Sequence, residues 1–516
     1  MMKRLSIVTS VLMGLLLVWA LVCSQAGGVL APSHVLIRLS PCILAFAVFC
    51  ILVRGSWFGK FMYGVICCYS LAECVLGTAQ LLGFAQSRHA LYHLTGNFLN
   101  PAPYACLLAS AAVLCIVNLL RRGGGRLVRI LTLTTLSWSS VMVVIARSRA
   151  VWLGMALALI CVFVRESSFL RRVRHKWIPA CVLAIVFIAG CAGAWMLKPE
   201  SAKARLYTWQ TDCLAIADNP LTGVGPGAEM GAFANAQADY FRSHERSMAR
   251  RMAADVPQKP FNEFLRMGMA CGIPGLVLAI AIYLLALVLT WRRRSPSAYV
   301  LTVLGTFAFF SFPLCQTALS LLLMLALADA VEGGEGKDNS LKRIVPLALA
   351  AVAMVPLVYL EVSKRVELKT VIESYEQNPL DSRALSGHYG TLCDDPQFLL
   401  LYGKSLYDER LYPEAEEVFA RLARFTADPL VPVMQGEICR ATGDPSGAEA
   451  AYLKSYYTAP SRLTPLYFLS VLYRSYGMEN AARLTCEYAL FLPVDEKYNA
   501  TMAVRSQIEG FLLENN

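Results

Sequence analysis

Repeated apolar runs of about 20 residues constrain this chain more than any other feature of its sequence. The runs lie at about 5–23, 36–53, 61–82, 102–120, 127–146, 150–164, 178–196, 265–290, 298–312, 314–330 and 344–361. An apolar helix of about 20 residues is long enough to cross the hydrocarbon core of a bilayer. We therefore expect an all-α, polytopic membrane protein with about eleven transmembrane helices. Only Phe312-Pro313 separates two of the runs, so 298–330 could also be one long kinked helix.

Basic residues indicate the orientation, because cytoplasmic loops of membrane proteins carry an excess of Lys and Arg. With the N-terminus inside, the cytoplasmic segments hold Lys3, Arg4, Arg54, Lys60, Arg121, Arg122, Arg126, Arg165, Arg171, Arg172, Arg174, Lys176, Arg292, Arg293, Arg294, Lys337, Lys342 and Arg343. The short outer loops hold only Arg88, Arg147 and Arg149. This bias predicts a cytoplasmic N-terminus, an extracytoplasmic loop at 197–260 and an extracytoplasmic segment after residue 362. A single helix at 298–330 would move that last segment to the cytoplasm.

The formal net charge of +11 comes from short basic clusters between the apolar runs. The chain has no basic face with interleaved aromatic residues, so we expect no nucleic-acid partner. Most of the 17 cysteines lie inside apolar runs, where they behave as small hydrophobic residues. No CxxC or Cys/His spacing predicts a metal site.

From Tyr375 onward the hydrophobicity falls, and a helical pattern appears with a repeat near 34 residues; Gly443 and Gly477, for example, lie one repeat apart. Paired helices with small residues where they touch are typical of tetratricopeptide units, which form binding surfaces. The sequence predicts a transmembrane domain at 1–362, a linker at 363–374 and a tetratricopeptide-like α-solenoid at 375–516.

The candidate chemistry lies in the polar stretch from Ala204 to Gly275. Residues 204–217 are predicted to form an amphipathic helix on the membrane, with one face formed by Leu206, Trp209, Cys213 and Leu214. The turn that follows, Pro220 to Gly227, is rich in Gly and Pro and can present backbone N–H groups to an anion.

Four charged residues stand out near this stretch. Arg147 and Arg149 lie at the outer rim of the bundle, where the distribution of basic residues gives them no role in topology. A guanidinium there can bind a phosphate through two parallel hydrogen bonds, or it can reach lipid headgroups. Arg205 is predicted to lie at the same membrane surface. Glu73, inside an apolar run, either faces a cationic partner or makes an interhelical hydrogen bond.

Several segments resemble the O-antigen ligase and polymerase superfamily, polytopic enzymes of bacterial surface-polysaccharide assembly. They are SRAVWLG (148–154), the R-x-x-x-W that begins at Arg205, NPLTGVGPG (219–227), FNEFL (261–265), GIPGL (272–276) and TGNFLNPAPYA (95–105). The resemblance covers residues 85–330 and implies a fold like that of class C glycosyltransferases. The C-terminal repeats are similar to an extension found on many members.

The resemblance implies a metal-independent glycan transferase, without a cofactor, at the periplasmic face of the bacterial inner membrane. Such enzymes take a glycan from undecaprenyl pyrophosphate and pass it to a hydroxyl of lipid A core, of a growing polymer or of a protein, and the C-terminal repeats can recruit a protein partner. Arg149 matches the Arg of the family's S-R-x-x-W-L pattern and Arg205 matches the Arg ahead of its Trp, so both are expected to hold the pyrophosphate. The candidate substrate-binding residues are Arg147, Trp209, Gly225 and Asn262.

One departure concerns the catalytic base. The ligase branch usually has a His directly before the Asn of FNEFL, where this chain has Phe261. Glu263 is the nearest candidate base, and His244 and Asp255 are further candidates in the same loop. Glu263 can equally be a carboxylate that the dipole of the following helix favours.

Three kinds of function stay open at this point. Ligase, polymerase and protein O-oligosaccharyltransferase differ in their acceptor, which these motifs do not identify. A lipid-linked glycan transporter or flippase would favour broken helices in internal repeats, and the apolar runs show no such repeat. A membrane-anchored scaffold would need only one of the predicted spans.

Overall fold

The computed structural model of the chain describes residues 2–55, 57–89, 91–166, 199–243, 248–254, 256–257, 259–333, 341–493 and 499–513, and every regular element in them is a helix. The membrane part and its polar loop contain α1 Met2–Gly27, α2 Pro32–Leu52, α3 Phe58–Leu81, α4 Pro101–Leu120, α5 Arg126–Ile145, α6 Arg149–Glu166, α7 Pro199–Asp218, α8 Glu229–Ser243, α9 Met248–Ala253, α10 Glu263–Arg292, α11 Ser297–Phe310, α12 Thr317–Glu332 and α13 Leu341–Gln377. The C-terminal part contains α14 Ser382–Ser386, α15 Tyr389–Leu392, α16 Pro396–Asp408, α17 Tyr412–Leu422, α18 Leu430–Ala441, α19 Pro445–Thr458, α20 Thr464–Ser475, α21 Glu479–Phe491 and α22 Asn499–Leu513.

Seven of the described helices are long and apolar enough to cross a membrane, namely α1 to α5, α10 and α13. α6 carries three charged residues over its 18 positions, and α11 and α12 are shorter, with 14 and 16 residues. The predicted span 178–196 and the basic residues at 171–176 lie outside the described residues. The prediction of an all-helical, multi-pass membrane protein is confirmed, and the count of eleven spans stays a prediction.

α4 lies at the centre of the bundle, and 78% of its span is buried inside the protein. Its buried side chains include the small residues Ala105, Ala109 and Ala112. Small side chains allow close helix approach, which matters in lipid because the hydrophobic effect does not drive helices together there. α3, α5, α6 and α11 pack around α4. This packing fixes the start of α6, where Arg149 lies.

α11 and α12 form a hairpin rather than one kinked helix. The chain leaves helical geometry at Ser311 and makes a 3₁₀ turn at Pro313–Cys315. Arg293, which precedes α11, donates a hydrogen bond of 3.0 Å to the carbonyl of Asp329 near the end of α12. Because the start of one helix contacts the end of the other, the two run antiparallel.

Side-chain contacts gather the basic segments at one end of the bundle. Arg54, after α2, pairs with Glu332 at the end of α12 at 2.7 Å. Arg121, after α4, pairs with Glu166 at the end of α6, and that carboxylate also accepts a hydrogen bond of 3.0 Å from Tyr299. The loops that the positive-inside rule predicts to be cytoplasmic therefore share one end, and α7 to α9 lie at the other.

The C-terminal helices form three consecutive pairs, α16/α17, α18/α19 and α20/α21. Arg410, Gly443 and Gly477 adopt left-handed φ values of 63°, 82° and 72° in the turns inside the pairs. Gly436 lies against the ring of Tyr452, in the next helix, so closely that a Cβ would not fit. The assignment of these pairs to tetratricopeptide units stays a prediction. Residues 363–374, predicted to be a linker, are the last turns of α13.

The C-terminal part packs on the end of the bundle that carries the polar loop. Asp394 is buried between His34 and Arg38 of α2, each 3.2 Å from its carboxylate, and Lys364 of α13 at 3.5 Å. Gln237 of α8 donates a hydrogen bond of 2.6 Å to the carbonyl of Thr458 in α19. The repeats and the loop are thus on the same side of the bundle.

This arrangement predicts the side on which the chain ends. Alkaline phosphatase, which is active only in the periplasm, should be active when fused after Asn516 and inactive when fused after Arg294, since α11, α12 and α13 separate the two points. Reporter activity normalised to protein level in a bacterial host measures both fusions. Inactivity after Asn516 with activity after Arg294 would reverse the orientation.

Candidate active site

Two arginines from separate parts of the sequence lie near each other at the loop end of the bundle. Arg149 begins α6, and Arg205 lies in the second turn of α7. Burial lowers the pKa of the Arg205 guanidinium, and the positive charge of Arg149 lowers it further. Two cations that repel each other in a partly desolvated place are stabilised by an anion between them. The pair therefore has the electrostatics of an anion site.

Phe261 precedes the helix cap Asn262, and its ring packs against Arg205. The guanidinium carbon lies 5.7 Å from the ring centroid, within the range of a cation–π contact. The ring of Phe312, from the α11–α12 break, lies 6.1 Å from that of Phe261. A phenyl ring transfers no proton, so the contribution of this position is to hold Arg205 through ring contact.

Trp209 lies one turn beyond Arg205 and packs inward. Its ring meets Phe309 edge-on at 5.2 Å and lies 5.8 Å from Phe310. Its indole Nε1 is buried and has no hydrogen-bond partner among the described residues. Trp209 therefore lines the site instead of sharing the outward face of α7 that Leu206, Cys213 and Leu214 form.

Arg147 lies just before the arginine pair, in the turn between α5 and α6. It is exposed and has a left-handed φ of 50°, and its N–H donates to the carbonyl of Val144 at 3.2 Å. The role of Arg147 in substrate binding stays a prediction.

Asn262 and Glu263 have structural partners at the start of α10. The Asn262 side chain caps the helix by accepting from the N–H groups of Phe264 and Leu265 at 3.0 and 3.1 Å. Glu263 accepts from Arg266 at 2.6 Å through one oxygen and from the N–H of Leu314 at 3.2 Å through the other.

Arg266 links Glu263 to the start of α8 as well. Its guanidinium also pairs with the buried carboxylate of Glu229, at the start of α8, at 3.1 Å. Glu229, Arg266 and Glu263 thus form a buried ion network that joins α8, α10 and the α11–α12 break. Because both oxygens of Glu263 are engaged, its geometry fits the helix-terminal role better than the role of a free base.

α10 is broken where the sequence reads GIPG. Gly272 has a left-handed φ of 67°, and Pro274 follows, without an N–H to donate. The break leaves backbone groups without partners inside the helix, and such groups need partners at the level of a membrane.

The Gly/Pro turn after α7 supplies those partners. Three backbone hydrogen bonds join it to the break, from Val224 N–H to Met269 O at 2.9 Å, from Gly225 N–H to Ala270 O at 3.0 Å and from Ile273 N–H to Pro220 O at 2.8 Å. The expectation that this turn offers its N–H groups to an anion is therefore wrong for Gly225, whose N–H is committed to α10. Its role is to hold the loop on the bundle.

Glu73 has partners within its own part of the chain. Its buried carboxylate accepts from the N–H of Asn97 at 3.0 Å and from the Asn97 side chain at 2.9 Å. Asn97 belongs to the TGNFLNPAPYA segment, so the motif and the buried acid form one unit. The hydrogen-bonding interpretation of Glu73 fits this geometry, with a loop rather than a helix as the partner.

Asp212 was not predicted from the sequence, although it lies on the same face of α7 as Arg205 and Trp209. It is fully buried, and neither carboxyl oxygen has a hydrogen-bond partner among the described residues. Burial raises its pKa to about 8. Asp212 lies three residues after Trp209 and seven after Arg205, a spacing that predicts one shared helix face. The spacing does not predict that its carboxyl lacks hydrogen-bond partners.

Comparison with known families bears on this arrangement. Residues 134–280 match the family model described as O-Antigen ligase. The matched stretch runs from α5 into α10 and so contains both arginines, Trp209 and the Gly/Pro turn. The match supports the O-antigen ligase superfamily and a ligase-like role in glycan transfer for this chain. None of the curated proteins compared with the chain matches it.

In the described part of the chain, no three His, Cys, Asp or Glu side chains come together as the ligands of a metal ion would. Metal independence itself stays a prediction, and the candidate bases His244 and Asp255 lie outside the described residues.

The turn that holds α10 predicts a stability effect of two glycines. A Cβ on Gly272 would collide with the carbonyl of Leu221, and one on Gly223 with the carbonyl of Met269, and both glycines have positive φ. Gly272→Ala and Gly223→Ala should each cost about 1–3 kcal/mol from backbone strain alone. Thermal unfolding in detergent measures this loss. Gly14→Ala in α1, where nothing lies within 4 Å, is the matched control and should have no such effect.

The ion network predicts an order of stability losses. Arg266→Met leaves two buried carboxylates without a counter-charge, whereas Glu263→Gln leaves Arg266 paired with Glu229. Breaking a buried pair costs about 3–5 kcal/mol, so Arg266→Met should be the more destabilised variant in thermal unfolding. Arg242→Gln, from an exposed pair with Asp239, should change little. Equal stability of the Arg266 and Arg242 variants would contradict the structural role.

Proposed function

We propose that this protein transfers a glycan from undecaprenyl pyrophosphate to an acceptor hydroxyl at the periplasmic face of the bacterial inner membrane. The observation that carries the proposal is the approach of Arg149 and Arg205 within the stretch that matches the O-antigen ligase family. A pyrophosphate is the leaving group of this reaction, and a pair of guanidinium groups is suited to bind it.

The arginines act on charge that develops during the reaction. As the bond from the anomeric carbon to the pyrophosphate oxygen breaks, its electron pair stays on that oxygen, and the negative charge on the leaving group grows. Arg149 and Arg205 stabilise that charge from fixed positions, because α4 packs against the helix of one and Phe261 contacts the guanidinium of the other. Partial burial of the Arg205 guanidinium strengthens the interaction by lowering the local dielectric.

The surface around α7 suits a lipid-linked donor. Leu206, Leu214 and Leu221 are exposed, with 46%, 37% and 71% of their surface accessible, and they lie along the outer side of α7 and its turn. An apolar edge next to spanning helices can contact the isoprenoid chain in the bilayer while the pyrophosphate reaches the arginines.

The C-terminal helix pairs are proposed to gather the acceptor or a protein partner. They contact the loop directly, since Arg251 of α9 donates to the hydroxyls of Tyr456 and Tyr488 at 2.8 and 2.9 Å. A ligand bound to these helices would therefore lie near the loop that carries Arg205. Whether the acceptor is a lipid, a growing glycan or a protein distinguishes ligase, polymerase and protein glycosylation, which share this donor chemistry.

The arginine pair yields the main test. Arg149→Ala and Arg205→Ala should each reduce glycan transfer about 100-fold or more, because each removes a fixed charge from the leaving group. In the native host, surface glycan should be lost and lipid-linked glycan should accumulate at normal protein levels. Arg242→Ala, which removes an exposed arginine of α8, is the matched control and should behave like wild type.

Two other outcomes would point elsewhere. Normal surface glycan in either arginine variant would overturn the phosphate-binding role. Purified protein that moves lipid-linked glycan between leaflets without releasing undecaprenyl pyrophosphate would identify a flippase instead.

A further inference from the structure

The carboxyl group of Asp212 has an environment that a structural residue would not need. It is fully buried, and neither of its oxygens accepts or donates a hydrogen bond among the described residues. Burying a polar group without a partner costs free energy, so such groups are rare and call for an explanation. The buried, unpartnered Nε1 of Trp209, one turn away, is a second group of this kind on the same helix.

The position of Asp212 relative to Arg205 suits a displacement reaction. Seven residues separate them, which is close to two turns, so they share one stripe of α7 about 10.5 Å apart along its axis. In a displacement at an anomeric carbon, the leaving group and the attacking hydroxyl lie on opposite sides of the sugar. Inverting glycosidases place the two groups that serve these oxygens about 6.5–9.5 Å apart for the same reason.

The neighbouring groups do not offer an equivalent base. Both oxygens of Glu263 are held by Arg266 and Leu314, and Phe261 has no proton to exchange. On α8, Glu229 pairs with Arg266. On α9, Arg250 lies over the rings of Tyr207 and Tyr240 and contacts Gln210, on the side of α7 away from Asp212. The pKa of Asp212 is raised by burial, and not by a neighbouring charge.

We propose that Asp212 is the catalytic base that takes the proton from the acceptor hydroxyl, an inference that rests on the function proposed above. As the acceptor oxygen forms its bond to the anomeric carbon, its proton moves to the Asp212 carboxylate. The bond from that carbon to the pyrophosphate oxygen breaks, and Arg149 and Arg205 stabilise the leaving group. The reaction needs no further reactant, because the donor supplies the glycan and the acceptor supplies the proton.

Burial has two consequences for this residue. It keeps bulk water from the carboxyl, so that the group exchanges its proton with bound substrate rather than with solvent. A base whose pKa lies near the working pH accepts a proton in the transition state most effectively. Burial, which raises the pKa of Asp212 to about 8, moves this carboxylate toward that range.

Asp212→Asn separates catalysis from folding, because Asn resembles the neutral carboxyl in shape and polarity. In vesicles from the native host, with lipid-linked glycan extracted from the same cells, the variant should release undecaprenyl pyrophosphate about 100-fold more slowly or worse. Its thermal unfolding at pH 7 should match or exceed that of wild type, because the raised pKa makes the folded wild type lose stability as the pH rises toward 8. Asp218→Asn, at the exposed end of the same helix, is the control and should retain wild-type activity.

Two further readouts make the result decisive. The wild-type rate should rise with pH up to about 8, and formate should partly restore the activity of Asp212→Ala by supplying a small carboxylate. Activity of Asp212→Asn within threefold of wild type, or no restoration by formate in a folded Asp212→Ala protein, would overturn the proposal. If Arg149→Ala and Arg205→Ala are inactive while Asp212→Asn is active, only the base is misassigned; if the arginine variants are active too, the proposed function fails.

Discussion

The break in α10 is the constraint on which the rest of the site depends. A helix that is interrupted at membrane level must find partners for its freed backbone groups, because lipid offers none. Gly272 makes the break possible, and the Gly/Pro turn after α7 provides the partners through three backbone hydrogen bonds. The loop is thereby tied to the bundle on both sides of the turn, by α7 before it and α8 after it.

This attachment explains why the charged residues of the loop have such different surroundings. At the start of α8, Glu229 meets Arg266 and shares it with Glu263, so that each of the three charged groups has an opposite charge beside it. On α7, Arg205 meets Arg149, another cation, and a phenyl ring. The first arrangement stabilises the fold, and the second brings two positive charges close together, which favours an anionic ligand beside them. Stability and function thus depend on neighbouring parts of one loop.

The sequence predicted those features that depend on local pattern. Apolar runs predicted the membrane helices, and the 34-residue spacing of Gly443 and Gly477 corresponds to two turns in which both glycines have left-handed φ. The ion pair of Glu263 and Arg266 could also be predicted, because residues three apart on a helix are neighbours on its surface. The contact of Glu263 with Leu314 could not be predicted, since it joins elements about fifty residues apart through a turn that no periodicity describes.

Two features of the loop depart from the sequence prediction for the same physical reason. The sequence predicts that the Gly/Pro turn can present N–H groups to an anion, but those of Val224 and Gly225 donate to carbonyls of the broken helix. The burial of Asp212 could not be predicted, because an acidic residue on an amphipathic helix ordinarily faces water, whereas the packing of α7 on its neighbouring helices buries this one. Both outcomes depend on what the loop covers, which is a property of tertiary structure and not of the loop's own residues.

The contacts of the C-terminal helices give the loop a second attachment. α8 packs against α19, and Arg251 of α9 reaches the hydroxyls of Tyr456 and Tyr488. The Gly/Pro turn ties the loop to α10, and these contacts tie it to the repeats, so the loop is held at two places. A ligand bound to the repeats would therefore affect the site through α8 and α9, which contact both the repeats and α7.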